Sequence, residues 1–68
     1  MLREGDHGAA VRTLQRALRA WGLELVVDGG FGPQTRKAVE AFQSAHQQPV
    51  TGRTDVNTRY MLGGGEYY

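Results

Sequence analysis

The sequence predicts an all-α domain, a small three-helix bundle, and three observations lead to that prediction. Apolar residues recur at helical spacing in two stretches, 9–21 and 33–46. A glycine-rich turn at residues 28–32, called the first turn below, separates these stretches. A second turn at residues 50–52 precedes a shorter helical pattern. With 68 residues and no cysteine, the chain makes one small domain without disulfides.

The first helix is expected to begin near Ala9 and to end at Gly22, which is typical of the position after a helix C-terminus. Asp6 is the expected N-cap. The apolar side chains on this helix fall on one stripe of a helix with 3.6 residues per turn. We therefore expect all of them in the core: Val11, Leu14, Leu18 and Trp21.

Residues 23–27, Leu-Glu-Leu-Val-Val, predict an extended connector between the first and second helices, too short and solitary to form a sheet. The second helix is expected to begin near Pro33, which suits the first helical position, and to end near His46. Pro49 then disfavours helix in the residue before it. The side chains expected to face the core are Thr35, Ala38, Val39, Phe42 and either Ala45 or His46.

Asp55 is the expected N-cap of a third, short helix. The side chains expected to face the core from it are Val56, Tyr60 or Met61, and Leu62. Three consecutive glycines end regular structure, so we expect a domain of residues 1–62 and a linker stub or appended tail at 63–68. The two turns share no pattern beyond preceding a helix, and we expect no internal duplication.

Composition and charge argue against several classes of function. The net charge of +1 provides no broad field for attracting nucleic acid. No apolar run approaches the roughly 20 residues that a membrane span needs. His7 and His46 lie far apart without a neighbouring ligand, so neither a metal nor a cofactor is expected. The chain opens without a basic-then-apolar export signal. We therefore expect a protein that acts where it is made, leaves by another route, or is a fragment.

Four blocks of residues, in order, carry a family resemblance. They are VRTLQRAL at 11–18, VDGGFGPQT at 27–35, AVEAFQ at 38–43, and PVTG at 49–52 followed by Asp55 and Thr58. Together they resemble the three-helix peptidoglycan-binding domain found in phage endolysins and bacterial cell-wall hydrolases. The resemblance covers Leu2 to Leu62. It departs at Gln48, Val56 and Arg59, where family members commonly have an apolar residue, a proline and a large aromatic residue.

The resemblance implies a non-catalytic module that binds peptidoglycan and anchors an attached hydrolase. Its partners would be the peptide stem, with the glycan as a second candidate contact, and a catalytic domain downstream. The first candidate for the parent protein is a phage endolysin with this module at its N-terminus. We expect a monomer without nucleic-acid partners that acts at the bacterial wall, on the periplasmic or extracellular side.

The candidate ligand-binding residues lie in the first turn and the start of the second helix: Asp28, Gly29, Phe31, Gln34 and Thr35. Unpaired amides at a helix N-terminus favour an anionic group. Phe31 would supply an apolar wall, and Asp28 would accept a hydrogen bond from an amide or ammonium. Each also has a structural interpretation: Asp28 as a turn former, Phe31 as core and Thr35 as a helix cap.

Two alternatives are weighed against this reading. Arg12, Arg16 and Arg19 share one face of the first helix and suggest a nucleic-acid-binding or protein-interaction domain. However, neither candidate recognition helix carries these arginines, so a solvated face is favoured. Catalysis is not expected, because no serine stands at a recognisable spacing from a histidine and a carboxylate, and Asp28 and Glu40 belong to different elements.

Overall fold

The computed structural model describes residues 1–63 and residue 68. Within these residues the chain forms three α-helices: α1 at Ala9–Ala20, α2 at Pro33–Ala45 and α3 at Val56–Leu62. No strand occurs in the described part, where His7 and Gly30 pair only as an isolated antiparallel bridge. The predicted all-α fold is confirmed, and so is the extended connector between α1 and α2. None of these helices has the length and apolar character needed to cross a membrane.

The core lies between α1 and α2. Its buried apolar side chains are Val11, Leu14, Leu18, Leu25, Phe31, Ala38, Val39, Phe42 and Tyr68. Leu25 comes from the connector and Phe31 from the first turn, so the non-helical segments close the core that two helices alone would leave open. Tyr68 is 5% exposed and its hydroxyl donates a hydrogen bond to the Gly63 carbonyl. The rest of the expected tail, residues 64–67, lies outside the described part.

The N-terminal segment joins the two turns. The Phe31 amide donates to the Asp6 carbonyl at 2.9 Å, and the Gly5 amide donates to the Phe31 carbonyl at 2.8 Å. Farther along, the Thr54 amide donates to the Leu2 carbonyl at 3.0 Å, and the Leu2 amide donates to the Thr54 hydroxyl at 2.6 Å. Residues 2–6 therefore hold both turns on the same side of the bundle.

The expected N-cap at Asp6 is wrong. α1 is preceded by Gly8, whose φ of 127° no other residue adopts readily. The Asp6 carboxylate instead accepts a hydrogen bond from the Arg3 amide at 3.0 Å. The Gly8 amide donates to the Gly29 carbonyl at 2.9 Å. The start of α1 is thus determined by its pairing with the first turn rather than by a side-chain cap.

The prediction that Trp21 lies in the core is also wrong, since this residue is 46% exposed. α1 ends at Ala20, and Trp21 has left the helix at φ −86° and ψ 4°. The indole therefore no longer follows the apolar stripe. It lies edge-on to Phe42, with ring centroids 5.2 Å apart, and to His46, with centroids 5.1 Å apart. Gly22 follows with a φ of +92°, as expected after a helix end.

The face of α3 differs from the prediction. Val56 is 69% exposed, Tyr60 84% and Met61 40%, while Thr58 is 1% exposed. Leu62 packs at the core edge, as predicted. Asp55 occupies the N-cap position, but its carboxylate accepts from the Thr51 hydroxyl at 2.6 Å rather than from the helix amides. The helix turns its threonine inward because a buried glutamine of α2 requires a hydroxyl partner there, as described below.

Candidate functional site

The first turn is built around Gln15, a fully buried residue of α1. Its side-chain oxygen accepts hydrogen bonds from the Asp28 amide at 3.0 Å and the Gly29 amide at 2.9 Å. Its Nε2 donates to Asp28 Oδ1 at 3.1 Å, to the Gly30 carbonyl at 3.0 Å and to Thr35 Oγ1 at 3.1 Å. One buried side-chain amide thus provides hydrogen-bond partners for the backbone of the first turn. The same amide joins this turn to Thr35, near the N-terminus of α2.

Asp28 presents its carboxylate at the surface in a fixed orientation. Oδ1 accepts from the Gly30 amide at 2.9 Å and from the Gln15 side chain. These two hydrogen bonds, the Gly30 amide first, hold the pKa of Asp28 below its ordinary value of 3.8, and the positive charge of Arg12 adds to the effect. In the described part of the chain Oδ2 has no hydrogen-bond partner. The residue is therefore charged at neutral pH, with one oxygen open to a ligand.

Gly29 is required at its position for two reasons. Its φ of +80° lies in the left-handed region, which side chains rarely adopt. A Cβ there would also lie 3.2 Å from Nη2 and 3.3 Å from Cζ of Arg12. The guanidinium of Arg12 therefore rests directly across the backbone of the first turn, beside Asp28.

The remaining predicted site residues differ in their exposure. Phe31 and Thr35 are each 2% exposed, so the ring belongs to the core and the hydroxyl to the Gln15 network. Phe31 therefore offers no apolar wall at the surface. Gln34 is exposed, and its side-chain oxygen accepts from the Val26 amide at 3.0 Å. The structure brings all five predicted residues together, but only Asp28 and Gln34 present side chains to solvent.

The start of α2 adds uncapped backbone amides to this surface. Gly32 occupies the N-cap position, and no side chain caps the helix there. The N-terminal residues of α2 include no acidic side chain. Pro33 lacks an amide hydrogen, so the Gln34 and Thr35 amides are the first donors of the helix. A carboxylate placed against these donors would be stabilised by them and by the helix dipole.

The second turn repeats the architecture of the first around Gln43, which is also fully buried. Its side-chain oxygen accepts from the Thr51 amide at 2.9 Å and the Gly52 amide at 3.0 Å. Its Nε2 donates to Thr51 Oγ1 at 3.2 Å, to the Arg53 carbonyl at 2.8 Å and to Thr58 Oγ1 at 3.0 Å. The prediction of no internal duplication is therefore wrong.

The sequence contains a signal of this repeat that the spacing of apolar residues does not reveal. In each half an apolar residue precedes the glutamine, Leu14 before Gln15 and Phe42 before Gln43. In each half a threonine also stands six residues after the turn glycine. A polar residue inside an apolar stripe indicates a buried hydrogen-bond network when such partners recur. The repeat is incomplete at the surface, because Thr51 stands where the first turn has the charged Asp28.

The three arginines of α1 differ in their relation to these turns. Arg12, Arg16 and Arg19 are all exposed, and none of their three guanidinium groups makes a hydrogen bond or ion pair within the described residues. Of the three, the contacts with the first turn come from Arg12. Nor do the described residues include a group of three or more histidine, aspartate or glutamate side chains placed to hold a metal ion.

Comparison with known proteins identifies relatives that include a carboxypeptidase and a phage endolysin. The chain is 40% identical over 67 residues to a zinc D-Ala-D-Ala carboxypeptidase of Streptomyces albus G. This alignment covers 90% of this chain and 26% of that protein. The crystal structure of a Burkholderia AP3 phage endolysin superimposes with a TM-score of 0.89 at 44% identity, over 94% of this chain and 25% of the endolysin. The SleB N-terminal domain superimposes with a TM-score of 0.85 at 35% identity, over 90% of this chain and 85% of that domain.

These lengths indicate what the chain corresponds to in its relatives. It spans about a quarter of the carboxypeptidase and of the endolysin, but most of the SleB N-terminal domain. The nucleic-acid alternative based on the arginine face of α1 receives no support from these comparisons. A family model of the peptidoglycan binding domain matches residues 7–62. This range includes all three helices and both turns. The chain therefore belongs to the peptidoglycan binding domain family and is a binding module rather than a catalytic domain.

Proposed function

We propose that this domain binds the peptide stem of peptidoglycan at the first turn and the start of α2. The observation that carries the proposal is the Asp28 carboxylate, which is charged, exposed and held in place by the buried Gln15. Most surface carboxylates move freely, and fixing one on binding costs conformational entropy, which reduces the binding free energy. Here the fold has already met that cost.

The ligand surface combines an acceptor with donors. Asp28 accepts from an amide or ammonium of the stem, and the Gln34 side chain and amide donate to a carboxylate or carbonyl. Gly29 lets the backbone turn tightly enough to bring these groups together. Phe31 and Thr35 act from behind the surface, the first by anchoring the turn in the core and the second through Gln15.

Binding at this surface would hold an attached cell-wall hydrolase at its substrate. The carboxypeptidase and the endolysin are enzymes about four times the length of this chain, which supports a module linked to a catalytic domain. Linkage makes the encounter of enzyme and wall effectively intramolecular, so even a weak binder raises the local concentration of cleavable bonds. The first candidate for the parent protein is a phage endolysin. In it, this domain would be a monomeric N-terminal module that acts on the periplasmic or extracellular side.

The glycan is a second candidate contact, and Trp21 is the residue that favours it. Its indole is 46% exposed and is held edge-on by Phe42 and His46. A partly exposed aromatic ring with fixed orientation suits the apolar face of a sugar ring. Trp21 follows the C-terminal end of α1, whereas the first turn lies beside Arg12 near the start of this helix, so the glycan contact would be separate from the stem contact.

A pull-down on purified sacculi tests the proposed site. Asp28→Asn removes the charge, and Glu24→Gln makes the same change at an exposed carboxylate on the connector that has no hydrogen bond or ion pair in the described part. We expect Asp28→Asn to reduce binding while its far-UV circular dichroism stays unchanged, and Glu24→Gln to bind like the wild type. Equal retention of both variants on sacculi would move the site away from the first turn.

A further inference from the structure

Arg12 and Asp28 carry opposite charges at the same turn without neutralising each other. The Arg12 guanidinium lies across Gly29, where a Cβ would come within 3.2 Å of Nη2. Asp28 directly precedes Gly29, and the pKa of its carboxyl group is lowered in part by the positive charge of Arg12. Yet the two form no ion pair, although arginine and aspartate at adjoining surface positions commonly do.

The reason lies in how each group is held. Asp28 Oδ1 is fixed by the Gly30 amide and by the Gln15 side chain of α1, so the carboxylate is held toward Gln15 and makes no ion pair with the Arg12 guanidinium. Arg12 projects from a regular helix and rests on the backbone of Gly29, where an added Cβ would lie 3.2 Å from its Nη2. The guanidinium fork and Asp28 Oδ2 therefore both keep unused hydrogen-bonding capacity within the described part of the chain.

We propose that Arg12 and Asp28 together recognise an α-amino-acid end, an ammonium and a carboxylate on one carbon, such as the free end of a diamino diacid in the peptide stem. The ligand carboxylate receives the two parallel N–H groups of the guanidinium, and the ligand ammonium donates to Asp28 Oδ2. The inference rests on the proposed function, because it concerns the same surface, and it names the chemical group that is bound there.

This pairing selects against related stems. A lysine in place of the diamino diacid keeps the ammonium but has no carboxylate for Arg12. An amidated diamino diacid keeps both positions but removes the negative charge. Charge-assisted hydrogen bonds contribute enough that either loss weakens binding by about tenfold or more. Arg16 and Arg19 lie farther along α1, and no hydrogen bond or ion pair joins their side chains to the first turn among the described residues, so they play no part in this discrimination.

The test is a titration of isotope-labelled protein followed by NMR, using three muropeptides that differ only at one stem position. That position carries meso-diaminopimelate, its amidated form or lysine. We expect the first peptide to bind about tenfold more tightly than the other two, with shifts centred on Gly29 and the side chain of Arg12. Arg12→Ala should abolish the preference, because all three peptides then bind equally. Arg16→Ala, the same change one helical turn away, should preserve it.

The possible results separate this inference from the proposed function. Equal affinity for the three peptides, with shifts still at the first turn, overturns the recognition by Arg12 and leaves the stem-binding site intact. A preference that survives Arg12→Ala overturns it as well. Absence of shifts with every peptide overturns both the inference and the proposed site. Both alanine variants should fold, since each replaces an exposed helical arginine by the residue of highest helix propensity.

Discussion

Replacing Gln15 by leucine tests whether one buried amide organises the first turn. Leucine has a similar size and a good helix propensity, so the change removes the hydrogen bonds without opening a large cavity. It leaves the amides of Asp28 and Gly29 without the acceptor that the fold provides. The Gly30 carbonyl loses a donor at the same time.

The expected cost follows from the number of hydrogen bonds. A glutamine side chain can make four at once, two through its N–H groups and two through its oxygen. At a net contribution of about 0.5–1.5 kcal/mol each, the loss is about 2–6 kcal/mol, and we expect about 3 kcal/mol because water reaches part of the turn. A chain of this size has a free energy of unfolding of roughly 3–10 kcal/mol. The midpoint of thermal unfolding should fall by about 12–24 °C.

Urea unfolding followed by far-UV circular dichroism measures this loss, with two reference variants. Gln43→Leu removes the equivalent set of hydrogen bonds from the second turn, so its cost should match that of Gln15→Leu within about 1 kcal/mol. Gln34→Leu makes the same chemical change at an exposed residue with one hydrogen bond and should cost under about 1 kcal/mol.

A loss of less than about 1 kcal/mol for Gln15→Leu would refute the reasoning, because it equals a single hydrogen bond. It would mean that water replaces the glutamine and that the turn holds its shape through Phe31 and the N-terminal segment alone. A large loss for Gln15→Leu together with a small one for Gln43→Leu would refute the equivalence of the two turns instead.

Four further predictions concern single positions. Gly29→Ala should destabilise the domain by about 1–2 kcal/mol in urea unfolding, because alanine resists the φ of +80° and meets the Arg12 guanidinium; a change below the error of the measurement would show that the turn relaxes. Gln47→Gly should raise the unfolding free energy by about 0.5–1 kcal/mol, since Gln47 has a φ of 57° just after α2, and a lower thermal midpoint would contradict this. Asp28 has a lowered pKa in the folded state, so its charge stabilises the fold fully above the ordinary value of 3.8, and that contribution is lost as the pH falls through the lowered pKa. The stability difference between the wild type and Asp28→Asn should therefore shrink in acid unfolding curves below pH 3.8, and a difference independent of pH would argue against the loop hydrogen bonds. Trp21→Ala should cost about 2 kcal/mol, less than a fully buried tryptophan, because the half-exposed indole loses two edge contacts; a cost above about 4 kcal/mol would indicate a core role.

Helix positions were predictable because their signals are local. Apolar spacing and the proline at the start of α2 place two helices within two residues of their observed ends, at Ala20 and Ala45. The glycines of the first turn likewise indicate a tight reversal of the chain, whatever the rest of the fold. Backbone preferences of this kind depend on neighbours in sequence, which the chain carries with it before it folds.

The errors at α3 and at Trp21 share a cause, because both concerned which face of a helix turns toward the core. The short α3 has apolar residues on several sides, and the need of Gln43 for a hydroxyl decides that Thr58 faces inward. Trp21 leaves the helix one residue before its stripe would carry it into the core. The repeated glutamine network escaped periodicity because its partners stand 13 to 20 residues away from Gln15.

The sequence by itself determined that this protein is a small three-helix domain with a glycine-hinged turn carrying Asp28, and its resemblance pointed to the cell wall. Only the tertiary structure decided which groups face a ligand, by burying Phe31 and Thr35 and by bringing Arg12 from α1 over Gly29. The physical reason is that exposure and charge proximity arise from the packing of distant segments, whereas turns and helices arise from adjacent ones.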